Sequence, residues 1–280
     1  MPELPEVEIT ARRLGDALRG TLIESALAPG INALKTFDPP LSELSGREIT
    51  GVGRRGKQLI VEVGELALVI HLMSAGRLQL FDKHAGPRDR TSRVLVRIED
   101  GRELRLREFG SKQAAWAKLL RASGLYEEES LARLGPEAWP DPPELRELLD
   151  APRPLHAVLR DQHVIAGIGR SWVDEILWHV RLSPYKRGSD LEAEEAQRLR
   201  AAIAEVLGSA ISHYESTIAL PIPDKLPMPL QVHRHEGQPC PRCGTTLRAV
   251  HFEDYIIAYC PQCQTEGRVL KDRRLSRLLK

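Results

Sequence analysis

Apolar residues recur at helical spacing near the start of the chain. Val7, Ala11, Leu14 and Leu18 fall 4, 3 and 4 residues apart, which predicts an amphipathic helix stopped by Gly20. Short β-type runs follow over 58–63, 66–71, 77–81, 93–98 and 103–106, parted by turns such as Gly64-Glu65 and Asp100-Gly101. Even spacing of this kind predicts an antiparallel sandwich or barrel. Six prolines then crowd 134–154, a composition that reads as a linker. Helical patterning returns over 155–162, 171–180 and 191–214, where Leu199, Ile203, Val206 and Ala210 mark a buried stripe. The fold class is therefore α+β, with a β-rich first half and a helical middle.

A chain of 280 residues suits two ordinary domains or one large one. No apolar run approaches the length a bilayer requires, and the acidic N-terminus is unlike a signal peptide, so the expectation is a soluble, cytoplasmic protein. Forty basic and thirty-nine acidic residues nearly cancel. Their distribution is uneven: positions 231–280 carry nine Lys/Arg against five Asp/Glu, a net of +4. A basic C-terminal end points to polyanions, or equally to a solvated tail.

All four cysteines lie in that end, as Cys240-Pro241-Arg242-Cys243 and Cys260-Pro261-Gln262-Cys263. Two such pairs joined by a hairpin-length insert suit one tetrahedral zinc ion; a pair of disulfides is the alternative, disfavoured in a reducing compartment. The insert reads as two short strands, 247–250 and 255–259, around Glu253-Asp254. Four thiolates leave no open position for substrate, so the metal's role would be structural.

Two further features carry chemistry. Removal of Met1 before small Pro2 would leave a secondary amine beside the Glu3 carboxylate. An α-amino group titrates at ~7.8 against ~10.4 for lysine, so it can act as a nucleophile near neutral pH. A plain extended lead-in to the helix is the competing reading. Gly167-Ile168-Gly169-Arg170 lies between two helical segments, and such a turn exposes amides where phosphate binds, or simply joins two helices.

The ordered set of Pro2-Glu3-Leu4-Pro5-Glu6-Val7-Glu8, Arg54-Arg55-Gly56-Lys57, His71-Leu72, Arg107 with Phe109-Gly110, Leu134-Gly135-Pro136-Glu137, Gly167-Ile168-Gly169, Leu230-Gln231-Val232 and the Cys-Pro-x-Cys pairs resembles the formamidopyrimidine-DNA glycosylase family. The resemblance runs from the first residue to Cys263. It implies an N-terminal antiparallel β-sandwich with a leading helix (1–133), a linker (134–154), a helix–two-turn–helix domain (155–230), a zinc-finger β-hairpin (231–267) and a basic tail (268–280). Double-stranded DNA with a damaged base or abasic site is the implied partner of a monomer, lying between two lobes.

The implied activity is bifunctional: excision of an oxidised base, then strand cleavage as an abasic-site lyase. Pro2 would attack C1′, with Glu3 as general acid/base and Lys57 as the strand lysine beside the phosphate. Met73 and Phe109 would wedge into the gap left by the extruded base, Arg107 would bond the widowed base, and His71, Gly169 and Arg170 would contact DNA. Cys240, Cys243, Cys260 and Cys263 would hold one structural zinc ion.

The chain also departs from the family pattern. Met73 stands one place early, so a bulge must compensate, or Ser74 or Arg77 fills the gap. Glu108 replaces one of two family arginines. Arg170 replaces an asparagine, and Tyr255 an arginine that assists the second elimination, for which Arg248 or Arg268 could substitute. The segment 217–230, which would cap an extruded base, is short and proline-rich. Oxidised purines, formamidopyrimidines among them, are the first expectation. The alternatives are oxidised pyrimidines, as in the endonuclease-eight branch, and a non-catalytic DNA-binding paralogue.

Overall fold

The predicted leading helix forms as α1, Leu4–Leu18, and it buries Val7, Ala11, Leu14 and Leu18 as the spacing requires. Its start is defined by Glu3 as N-cap. Glu3 and Glu6 each accept from the other's backbone amide, a reciprocal box that satisfies two donors a helix start leaves open. The computed structural model describes residues 1–30, 32–86, 89–109, 113–252 and 255–271. These divide into one unit of 1–133 with 211–227 and another of 134–210 with 228–280.

The first unit contains two four-stranded antiparallel sheets. One has the order β1 (Ile23–Leu27), β6 (Ser92–Ile98), β7 (Glu103–Glu108) and β5 (Gly76–Phe81); the other joins β2 (Gly51–Arg55), β3 (Gln58–Val63), β4 (Leu66–His71) and β8 (Trp116–Arg121). Leu59, Val61, Leu68 and Ile70 from one sheet share a core with Leu78, Val94, Val96 and Leu106 from the other and with α1. This is the expected sandwich. Strands β1, β2 and β8 were not legible as strands. Gly51-Val52-Gly53-Arg54-Arg55 lacks apolar alternation, and pairing with β3 holds it in place. Trp116–Arg121 is rich in helix formers, but β4 offers it a six-residue partner edge.

In the second unit, 134–154 is not a bare linker. Ala138, Leu145 and Leu149 are buried, α3 spans Leu145–Leu148 (the short α2, Glu129–Ala132, precedes it), and Glu137 bridges Ala166. The prolines shape this segment while its leucines anchor it. The helix expected over 155–162 is only one turn, α4 (Leu155–Val158). The longer helices are α5 (Arg170–His179) and α6 (Ala193–Thr217), whose last residues, from 211, belong to the first unit. Hairpin β9 (Arg248–His251) and β10 (Ile256–Tyr259) precedes α7 (Pro261–Thr265). Among the described residues no helix is long and apolar enough to cross a membrane. Gly110, the Glu253-Asp254 turn and the tail from 272 lie outside the described residues.

Candidate active site

Pro2 is half-buried one residue before the N-cap, so α1 fixes the chain immediately behind it. Glu3 and Glu6 are only 2% and 3% exposed. Glu6 Oε2 accepts the Glu3 amide at 2.8 Å, and Glu6 Oε1 accepts the Tyr214 hydroxyl at 2.8 Å. Tyr214 is fully buried on α6, and its phenol is held far above its usual range, first by burial and then by the Glu6 and Glu3 charges. Two arginines of α1 fasten the end of α6. Arg12 pairs with Glu215, and Arg13 donates to the carbonyls of Glu215 and Ile218, which a helix terminus leaves open.

Lys57 is buried beside the β2–β3 turn, where Gly56 takes φ +55°, a conformation that suits glycine. Arg54, on β2, donates to Glu8 of α1 at 2.6 Å and so ties this hairpin to the leading helix. His71 ends β4 opposite Gln58, stacks on Trp116 at 5.6 Å and accepts the Met73 amide at 3.0 Å. Burial, with the Lys57 charge, lowers its imidazole to about 4. Its ring is therefore neutral at pH 7.

Met73 lies in a turn rather than on a strand. It takes φ +49°, and the Gly76 amide closes the turn on Leu72 O at 2.8 Å. Strand β4 has already ended at His71, so it is this left-handed turn that presents the Met73 side chain. Ser74 is exposed, and the Arg77 guanidinium is engaged with Asp224 O and Gly76 O.

Arg107 sits on β7 with its guanidinium 4.6 Å over the Phe109 ring. It donates to Gln79 at 2.9 Å, Thr91 at 3.1 Å and Asp224 at 3.3 Å. Gln79 also donates to Ile222 O and Asp224. The proline-rich segment 218–227 is thus pinned to β5 and β7 through Asp224. Glu108 turns inward, where it accepts the Ala114 and Ala115 amides at 2.7 and 2.9 Å.

In the second unit Gly169 caps α5 and Arg170 is its first residue, exposed, after Gly167 at φ +108°. The adjacent acids Asp174 and Glu175 organise this unit from within. Glu175 accepts the amides of Gln231, Val232 and His233 at 2.8–2.9 Å, and burial raises its carboxyl pKa despite those bonds. Asp174 faces His233 Nδ1 at 2.7 Å and His156 Nε2 at 3.2 Å and accepts the Ala258 amide. Burial lowers the His156 pKa. Sequence reading overlooked Glu6, Gln79, Asp174, Glu175, Tyr214 and Asp224. Only Glu6 had a local signal, its place three residues after the cap.

The four cysteine sulfurs lie within 4.8 Å of one another and could hold a metal ion. Cys243 is 3.5 Å from both Cys260 and Cys263, and Cys240 is 4.0 Å from Cys263. These spacings bracket the ~3.8 Å edge of a tetrahedron built on 2.3 Å zinc–sulfur bonds. Trp178 donates to Cys240, while Arg242 covers the Trp178 ring and bonds the Trp178 and His179 carbonyls at the end of α5. Tyr255 stacks on Phe252 at 4.4 Å and carries Arg160 at 4.2 Å and Arg170 at 5.1 Å.

Family models describe two parts of the chain: the formamidopyrimidine-DNA glycosylase N-terminal domain matches residues 1–111, and the H2TH domain of the same enzymes matches residues 134–221. A formamidopyrimidine-DNA glycosylase of Thermus thermophilus is 36% identical over 282 aligned positions, covering 95% of this chain and 100% of the relative. One of Streptococcus pyogenes is 32% identical, covering 94% and 98%. Among solved structures, MutM in complex with carbocyclic 8-oxo-G containing DNA superposes with a TM-score of 0.83 at 30% identity, covering 94% of this chain and all of that one. A complex of Lactococcus lactis Fpg with abasic-site DNA gives 0.83 at 28% identity, covering 94% and 99%.

Proposed function

The chain belongs to the formamidopyrimidine-DNA glycosylase family and is a DNA glycosylase, and from that premise we propose that it removes oxidised purines, formamidopyrimidines included, from duplex DNA in base-excision repair and then cleaves the abasic site as a lyase. The observation that carries the reading is Pro2 leading directly into the buried Glu3–Glu6 cap of α1. Similar proteins have been captured with 8-oxo-G analogue and abasic-site DNA.

After Met1 is removed, the Pro2 nitrogen lone pair attacks C1′ of the extruded nucleotide. The C1′–N bond breaks and the base leaves with a proton. Ring opening then expels O4′, which takes a proton from Glu3, and the nitrogen becomes an iminium. That cation acidifies C2′; the Glu3 carboxylate left by ring opening takes the C2′ proton, the electron pair breaks the C3′–O bond, and the 3′ phosphate departs. Lys57, buried near neutral His71, supplies a cation for a phosphate at this site. Arg107 and Phe109 would serve the gap opposite, and Met73, presented by its turn, would enter the stack. Gly169 and Arg170 would take a phosphate at the start of α5.

We assign the four thiolates to one structural zinc ion, which when bound fixes the hairpin and takes part in no bond-breaking step. We assign the second elimination to Arg160 and Arg170, gathered on Tyr255, rather than to Arg248 or to Arg268, which pairs with Glu266. The bacterial relatives suit action on cytoplasmic DNA. The pinned segment 218–227 favours one second reading, oxidised pyrimidines, which need less cover than a purine.

Duplexes each carrying one defined lesion test the proposal. Base release should be fastest from formamidopyrimidine and 8-oxoguanine, with strand nicking at the same site. Exclusive release of oxidised pyrimidines would establish the second reading, and no release from any lesion would refute both.

A further inference from the structure

We propose that Tyr214 is a positioning residue for the N-terminal nucleophile, acting through Glu6 on the backbone of Glu3; the inference rests on the function proposed above. Three groups form one line: the Tyr214 hydroxyl donates to Glu6 Oε1 at 2.8 Å, and Glu6 Oε2 accepts the Glu3 amide at 2.8 Å. All three residues are buried, with Tyr214 at 0% exposure. A carboxylate in such surroundings needs strong donors on both oxygens, and a hydrogen bond to a buried charge is worth more than one between neutral groups. The hydroxyl occupies one oxygen and so leaves the other aimed at Glu3.

The Glu3 amide nitrogen is bonded to the carbonyl carbon of Pro2. Fixing it therefore sets the direction in which the Pro2 ring and its nitrogen leave α1. Glu6 is itself rooted in the first turn of α1, and Tyr214 on the final turns of α6. The phenol cannot swing, because Arg12 and Arg13 hold that end of α6 to α1. A small rotation at the reacting centre is costly, since a misplacement near 1 Å can lower a rate about a hundredfold. The effect of Tyr214 reaches the reaction through the cap, by way of Glu6 and the Glu3 amide.

Tyr214→Phe deletes one oxygen and keeps the ring. With an abasic-site duplex, the single-turnover rate of borohydride trapping should fall about tenfold, the size expected when a hydrogen bond to a charged group is lost. The Kd for the same duplex should stay within about twofold, because no phosphate contact is removed. Hydrogen exchange at the Glu3 amide should quicken while the hairpin and β-sheet amides keep their protection. Should this variant fail to fold, Glu6→Ala removes both acceptor oxygens and must slow trapping to at least a similar degree.

Wild-type trapping rates with unchanged Glu3 exchange in Tyr214→Phe would overturn the proposal, as would a fully active Glu6→Ala. A wild-type protein that forms no adduct at all would instead refute the lyase reading. In that case Glu3 exchange in Tyr214→Phe would still test the relay.

Discussion

The head of α1 and the cysteine cluster fix a functional group in different ways. At the head of α1, hydrogen bonds run from Tyr214 through Glu6 to the amide of Glu3, the residue that follows Pro2. In the cluster, four sulfurs close together are braced by Trp178 and Arg242 at the end of α5. In the proposed reaction the first arrangement would direct a reactive atom at half-buried Pro2, and it depends on bonds worth about 1–3 kcal/mol each. The second places no reactive atom, and the proposed zinc ion would make its ligands a rigid body through coordination. Accuracy in the first rests on buried carboxylates; in the second it would rest on the metal.

Removing the metal should have the largest effect. Structural zinc sites contribute ~10–16 kcal/mol in isolated fingers. Chelation or Cys260→Ser should therefore abolish exchange protection across β9 and β10 and release one zinc per chain by elemental analysis. The cap at Glu3 should keep its protection. Loss of protection at both places together would erase the contrast.

Next comes the carboxylate that organises the second unit. Asp174→Ala strips His233 and the Ala258 amide of their shared partner and removes the carboxylate 3.2 Å from His156, which should cost about 3 kcal/mol by chemical denaturation. The neighbouring Glu175→Gln should cost less, because an amide oxygen still accepts from 231–233.

His71 gives the first unit a pH signature. Its folded pKa of about 4 lies below the ordinary 6.5, so the unfolded chain binds the extra proton between those values. Stability from this residue is complete above pH ~6.5, falls as pH drops towards 4, and changes no further below that. The full loss is at most about 3 kcal/mol at 1.36 per unit. Urea denaturation from pH 4 to 7 should show this slope flattened in His71→Gln.

The smallest effect is expected at the rim. Asp224→Asn removes the charge facing Arg107, a partly exposed pair worth about 0.2–1 kcal/mol. Its thermal midpoint should scarcely move. DNA affinity should rise slightly and fall more steeply with salt, because a cation is released for phosphate. An unchanged salt slope would mean that Arg107 stays with Gln79 and Thr91.

The same contrast separates what could be read from sequence. The cysteine pairs announce themselves, because a metal imposes ligand type and spacing on neighbours in the chain. Pro2 and Glu3 draw notice for a similar reason, standing just ahead of a capped helix whose start the structure bears out. Tyr214 was not: it fits the buried stripe of α6, and its partner Glu6 lies 208 positions away. Asp174-Glu175 look like surface acids of a short helix until α4, 231–233 and β10 enclose them. The positive φ of Met73 and the turn that Gly76 closes behind it carry no sequence pattern, because backbone geometry alone defines them. Strands β2 and β8 carry no pattern of their own because their neighbours supply the register.

The central claim is a covalent bond at the second residue of the chain. Borohydride reduction of the protein with abasic-site DNA, followed by digestion and peptide mass spectrometry, addresses it most directly. The account predicts a peptide that begins at Pro2, lacks Met1 and carries the reduced sugar remnant on its N-terminal nitrogen. An adduct on Lys57 or another lysine, or an adduct-forming protein that still carries Met1, would contradict it.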